Sequence, residues 1–270
     1  MSDWLPVLKF RILTVLVVLP LFLAALFGLP QAIWGAMMLA VVVIACIEWA
    51  RLAALSHSSR LLFTATVLFG CAGTGLAQHS GAGEFMLALA LVLWLVIVPL
   101  WLRRVLPATA VSLAIAGVVI LVSAWYALFE LQRSAARLSV LLGVVWIADT
   151  GAYFAGRRFG RHKLAPRISP GKTWEGVAGA VLGVGVYYGI LWLAWAPSFL
   201  AGSPLLDLAI VAGMTVLSIE GDLFESWIKR RAGVKDSGTV LPGHGGVLDR
   251  IDGLVAALPL AALATFVGRG

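Results

Sequence analysis

Runs of about 20 consecutive apolar residues recur along this whole chain, and nothing else in the sequence limits its fold so strongly. The hydrocarbon core of a bilayer is about 30 Å thick, which a helix of roughly 20 apolar residues spans. Nine such runs are read at about 12–29, 32–50, 61–78, 85–102, 108–129, 138–156, 174–196, 205–225 and 250–268. They are continuous rather than alternating, which argues against a transmembrane β-barrel. They also leave no room for a separate soluble domain. Of the 270 residues 61% are hydrophobic and only 12% charged, against roughly 25% charged in a soluble domain. The expected fold is an all-α integral membrane protein of about nine transmembrane helices, a single multi-pass domain over 1–270. The first run is long, holds Pro20 and lacks a polar cleavage region, so it is read as a retained helix rather than a signal peptide.

The positions of Lys and Arg give this count a check, because one miscounted helix would scramble their sides. With nine runs, all of the 20 basic residues except Arg133, Arg137 and Arg269 fall on one side. The N-terminus is therefore expected in the cytoplasm and the C-terminus outside. The net charge of +7 is spread along one membrane face, where lipid headgroups and nucleotides are the natural anionic partners, and nucleic acid is not expected. Cys46 and Cys71 lie inside apolar runs without metal or redox spacing and are read as packing residues.

Residues 1–140 read as a helical scaffold with isolated charges such as Glu48 and Glu130, and residues 141–270 as the catalytic half. Tryptophans such as Trp4, Trp94, Trp101 and Trp125 are expected at the membrane interfaces. No internal repeat supports an inverted-repeat transporter. Polar groups concentrate in two segments, Val144 to Gly176 and Ser218 to Asp252, each beginning in a helix with an acidic residue near its end.

In the first segment, Asp149 lies deep enough in its run that a lone carboxylate facing lipid would cost about 2.5 kcal/mol or more. It should face a cavity, unless it forms a structural ion pair with an arginine. Ser169, Pro170, Gly171, Lys172 and Thr173 invite a P-loop reading, but that motif needs a glycine at 166, where Pro166 stands. What remains is a loop presenting Lys172 and hydroxyls at the start of a helix, suited to an anion, or else charges that serve topology alone.

In the second segment, Ser218, Asp222, Glu225 and Lys229 form one polar stripe along a helix. Glu225 and Lys229 could equally be a solvated pair at a helix end. Asp249 and Asp252, three residues apart, share a face and with Asp222 offer oxygens suited to Mg²⁺ rather than Zn²⁺. Lys229, Arg230 and Lys235 are placed to meet phosphates, glycines at 243, 245 and 246 let backbone approach a ligand, and His244 is read as a phosphate or base contact or as a turn residue.

The pattern S-x-hydrophobic-K-R, four residues, K-D, then P-x-H-G-G-x-x-D-R-x-D resembles the signature of the phosphatidate cytidylyltransferases, or CDP-diacylglycerol synthases. It runs through Ser226, Lys229, Arg230, Lys235, Asp236, Pro242, His244, Gly245, Gly246, Asp249, Arg250 and Asp252. Gly221, Asp222 and the segment from Asp149 to Gly176 extend the likeness over roughly the C-terminal half. The resemblance implies an enzyme combining CTP with phosphatidic acid to give CDP-diacylglycerol and pyrophosphate, dependent on Mg²⁺. It also implies a two-cation centre on Asp222 and Asp249, the second ion being K⁺. On this reading Asp149, Asp222, Asp249, Asp252 and Lys229 are catalytic. Ser169, Lys172, Thr173, Ser226, Arg230, Lys235, Asp236, His244, Gly245, Gly246 and Arg250 bind substrate. A homodimer is left open, and a compact chain of this size suggests a bacterial cytoplasmic membrane. The rivals are another CTP-using lipid enzyme, such as a polyprenol kinase, and a cation-coupled transporter.

Overall fold

A computed structural model describes residues 4–195, 203–240 and 245–267. Helices cover each of the nine apolar runs: α1 (Trp4–Gly28), α2 (Gln31–Leu52), α3 (His57–Leu76), α4 (Ala82–Val92) continued by α5 (Val98–Leu102), α6 (Ala110–Leu131), α7 (Ala135–Phe159), α8 (Trp174–Trp195), α9 (Pro204–Arg231) and α10 (Leu248–Val267). Among the described residues, six helical stretches are long and apolar enough to cross a membrane. One of these, Ala110–Phe159, holds two of the expected runs, divided at Ser134, whose backbone is extended (φ −126°, ψ 90°).

Local chemistry sets several boundaries. Thr109 and Ser112 form a reciprocal capping box at the start of α6, and the Ser56 hydroxyl accepts from the Ser59 N–H at the start of α3. Between α4 and α5 the helix widens into a π turn, Leu93–Ile97, just before Pro99, whose ring removes an N–H and crowds the preceding turn.

The all-α expectation meets one exception. Where a loop was read, Lys163–Ala165 and Ser169–Thr173 pair as a two-stranded antiparallel hairpin, β1 and β2, joining α7 to α8. The Pro166–Arg167 turn lets the two short strands pair. Glu175 closes the base of the hairpin, accepting from the N–H groups of Arg161 and His162 and pairing with His162 Nδ1 at 2.6 Å.

The expectation that the tryptophans mark the interfaces is corrected at three positions. Trp94, Trp101 and Trp125 are buried in the bundle, while the side chain of Trp4 lies outside the described residues. Trp125 donates to the Gly35 carbonyl, and Trp34 and Trp49 donate to those of Leu128 and Leu113, so indoles tie α2 to α6. Large apolar rings gain from interhelical packing, and of Trp94, Trp101 and Trp125 only Trp125 also finds a carbonyl acceptor among the described residues. Phe224 of α9 is enclosed by Trp49, Trp94, Trp101 and Trp227 at centroid distances of 5.5–6.1 Å. This cluster fixes the last three turns of α9, from which Asp222, Glu225, Ser226 and Lys229 project.

Two polar regions mark opposite helix ends. Gln78, Glu84, Glu130, Arg133 and Phe266 line one cavity, and the C-terminal ends of α5 and α9 meet the hairpin at another.

Candidate active site

Helices α7, α9 and α10 meet closely because small residues let their backbones approach. A Cβ on Gly221 would overlap the Asp252 carbonyl oxygen of α10, and one on Gly151 would lie 2.6 Å from the Gly179 carbonyl oxygen of α8. Gly253 of α10 lies against Val145 of α7 and Ser218 of α9, with 3.2 and 3.3 Å left for a Cβ, and the three helices converge on a cavity of about 340 Å³. It is lined by Asp149, Asp222, Glu225, Ser226, Lys229, Arg230, Lys235, Asp236, Asp249, Arg250 and Asp252. Six carboxylates are thus confronted by four cationic side chains around one cavity, although these residues span more than a hundred positions of sequence.

The carboxylates are held differently. Asp249 is almost fully engaged: Oδ1 accepts from Lys229 at 2.5 Å, and Oδ2 from the N–H groups of Ser237 (2.9 Å) and Gly246 (2.8 Å) and from the Ser237 hydroxyl (3.0 Å). Gly245 makes this wrap possible, since it lies at φ +83° and a Cβ there would sit 2.7 Å from Asp249 Oδ2. Asp222 pairs with Lys172 at 2.6 Å and is near the Ser226 hydroxyl at 3.4 Å. Asp252 accepts from the N–H of Gly253. Asp149 accepts no hydrogen bond among the described residues, and the arginine partner that was its alternative explanation is absent among them. Of the Glu225 oxygens, one accepts from Lys229 at 2.7 Å and the other is buried without a partner among the described residues.

Lys229 therefore bridges Glu225 and Asp249 with its side chain only 13% exposed. That burial distinguishes it from a solvated pair at a helix end. Lys172 stands on β2 and reaches across to α9, where it also donates to the Ile219 carbonyl. Thr173 turns inward and accepts from the Gly176 N–H, capping α8, while Ser169 pairs with Ala165 across the hairpin. His244 and Pro242 lie outside the described residues.

One participant escaped the sequence reading. Glu48, assigned to the scaffold, is 1% exposed at the end of α2. It accepts from Val247 N (2.9 Å), Leu248 N (2.8 Å) and the Ser237 hydroxyl (2.9 Å), capping α10 and holding the loop that wraps Asp249. The available signal was a carboxylate within an apolar run, which must find donors.

The donor set suits a hard cation, because every ligand-capable group on the cavity wall is an oxygen. Among the described residues no three His, Cys, Asp or Glu side chains form a ready metal cage. Mg²⁺ often uses one or two carboxylates and completes its shell with water and substrate phosphates, so Asp222 and Asp249 fit that pattern. Asp249 Oδ1 keeps room for one further partner beside Lys229.

The model of the family described as "Cytidylyltransferase family" matches residues 9–267. A Pseudomonas aeruginosa protein named phosphatidate cytidylyltransferase is 42% identical over 97% of this chain and 99% of its own length. Proteins of the same name from Haemophilus influenzae and Thermotoga maritima are 48% and 44% identical over 43% and 47% of the chain, and 41% and 48% of their own lengths.

Proposed function

The chain belongs to the cytidylyltransferase family, and from that premise we propose that it transfers the cytidylyl group of CTP to phosphatidic acid, giving CDP-diacylglycerol and pyrophosphate. The observation that carries this reading is the single cavity in which Lys229, Arg230, Lys235 and Arg250 face Asp149, Asp222, Asp249 and Asp252. Cytidylyl transfer needs no protein nucleophile. A phosphate oxygen of phosphatidate attacks the α-phosphorus of CTP, the new P–O bond forms as the bond to the β-phosphate bridging oxygen breaks, and pyrophosphate leaves with those electrons. The protein must orient two polyanions and offset the charge that moves to the leaving group.

Lys172, Lys229, Arg230, Lys235 and Arg250 are the groups proposed to contact phosphates, with Ser226, Asp236 and the backbone at Gly245 and Gly246 fixing the nucleotide. Asp222 and Asp249 would hold Mg²⁺, with K⁺ as a second ion, and Asp149 and Asp252 would orient its water shell. Bound there, a divalent ion would supply positive charge to the triphosphate. Lys229 keeps Asp249 in place, and Lys172 does the same for Asp222.

The nine-crossing topology, with the N-terminus and the site on the cytoplasmic face of a bacterial membrane, belongs to the same proposal. Helices over all nine runs support it, as does the separation of the polar cavities between opposite helix ends. The test is to incubate the purified protein with labelled CTP, phosphatidate and Mg²⁺ and identify the products. CDP-diacylglycerol with pyrophosphate is expected; phosphorylated lipid with CDP would sink the reading in favour of a lipid kinase.

A further inference from the structure

A second cavity of about 630 Å³ adjoins the first. Its wall carries four guanidinium groups, on Arg104, Arg167, Arg230 and Arg231, together with Trp101 and Trp227 and the segment from Val105 to Ala108. No carboxylate lines it, and none of the four arginines forms an ion pair among the described residues. Four like charges gathered from three separate parts of the chain repel one another, so the arrangement is suited to an anion. Arg230 lines both cavities and joins them.

The backbone at Arg104 places one of these guanidinium groups. Arg104 follows α5 as its left-handed terminating residue, at φ +61°, with Val105 N bonded to the Leu100 carbonyl and Arg104 N to that of Trp101. Glycine is the usual residue in such a helix end because a side chain there is strained. Ala54 ends α2 in the same turn at φ +55°, so the turn alone assigns no role; at Arg104 it carries a guanidinium onto the cavity wall. The apolar part of the wall identifies the kind of anion. Trp101 and Trp227 stack at 6.2 Å, and the neighbouring Val105 and Leu106 are 63% and 37% exposed. A free phosphate or a triphosphate has no use for that surface, whereas the glycerol and proximal acyl carbons of a lipid do.

We propose that this cavity seats the phosphomonoester headgroup of the lipid substrate, with the arginines on the phosphate and the two tryptophans against its glycerol backbone. The assignment rests on the cytidylyl-transfer reading and adds the position from which the lipid oxygen reaches the nucleotide through Arg230.

The experiment measures KM for phosphatidate and for CTP separately, in mixed micelles, for wild type and for the single variants Arg104→Gly, Arg167→Gln and Arg231→Gln. Loss of one charge-assisted contact to phosphate should raise the phosphatidate KM by about fivefold or more and move the CTP KM by less than about twofold. Arg104→Gly is the decisive variant. Relief of the left-handed strain should leave its thermal stability equal to or above wild type while lipid KM rises, a combination that a merely structural arginine does not give. Competition then separates the anion sources in the wild type. Short-chain phosphatidate should compete with substrate far better than equimolar glycerol 3-phosphate or inorganic phosphate. Unchanged phosphatidate KM in all three variants, a rise confined to the CTP KM, or equal competition by inorganic phosphate would each overturn the assignment. A wild-type protein that makes no CDP-diacylglycerol would instead overturn the parent reading.

Discussion

Replacing Glu48 by alanine should damage a site that lies about 200 residues away in sequence. The change strands the N–H groups of Val247 and Leu248, both buried, and a buried donor without an acceptor costs about 1–3 kcal/mol. It also removes a negative charge from the first turn of α10, a contribution of up to about 2 kcal/mol in a partly buried setting. With two donors stranded, the expected loss is therefore about 2–8 kcal/mol, large beside a total stability of roughly 5–15 kcal/mol. Glu48→Gln keeps the shape but points an NH₂ group at one of the donors, and should lose about half as much. Thermal unfolding of the purified protein in one detergent at one scan rate measures the stability, and CDP-diacylglycerol synthesis at a temperature where every variant stays folded measures the site. Because Ser237 contacts both Glu48 and Asp249, Glu48→Gln and Ser237→Ala should combine non-additively. A Glu48→Gln protein with wild-type Tm and wild-type turnover would refute the reasoning.

Lys229→Met leaves Glu225 and Asp249 facing each other without their shared cation, so synthesis should fall by about 100-fold or more, as removal of one preorganised charge commonly does; activity within threefold of wild type would contradict its bridging role. Asp222→Asn and Asp249→Asn should each abolish Mg²⁺-dependent synthesis while the protein remains folded, and near-normal turnover in both would refute the proposed metal ligands. Gly221→Ala forces a methyl group onto the Asp252 carbonyl and the Ala256 side chain; overpacking should cost about 1–3 kcal/mol, read as a lowered Tm, and an unchanged Tm would show that α9 and α10 have slack there.

The helical segments were legible because bilayer thickness imposes a length that the apolar runs repeat, and each of the nine runs is covered by helix. The grouping of Asp222, Asp249 and Asp252 was legible too, since their spacing and the glycines beside them point to one face. What pairs with what was not. Nothing in the order of residues says that Lys229 bridges two carboxylates or that Lys172 crosses from a hairpin to α9, because those contacts are set by how helices distant in sequence pack. The hairpin itself was read as a loop, its two strands being too short to show a period. Glu48 looked like an isolated charge for the same reason: its partners are backbone N–H groups, which leave no trace in side-chain spacing. The buried tryptophans were misplaced because an indole packed between helices and one at a headgroup look alike in a sequence.

The Glu48 contact also orders events during biosynthesis. Because α2 is made well before α10, the carboxylate must wait about 200 residues of translation before its amide partners arrive. Until then the loop that cups Asp249 has no anchor on the bundle. A chain that has not yet made α10 therefore holds neither the Glu48 contact nor the anchored loop at Asp249.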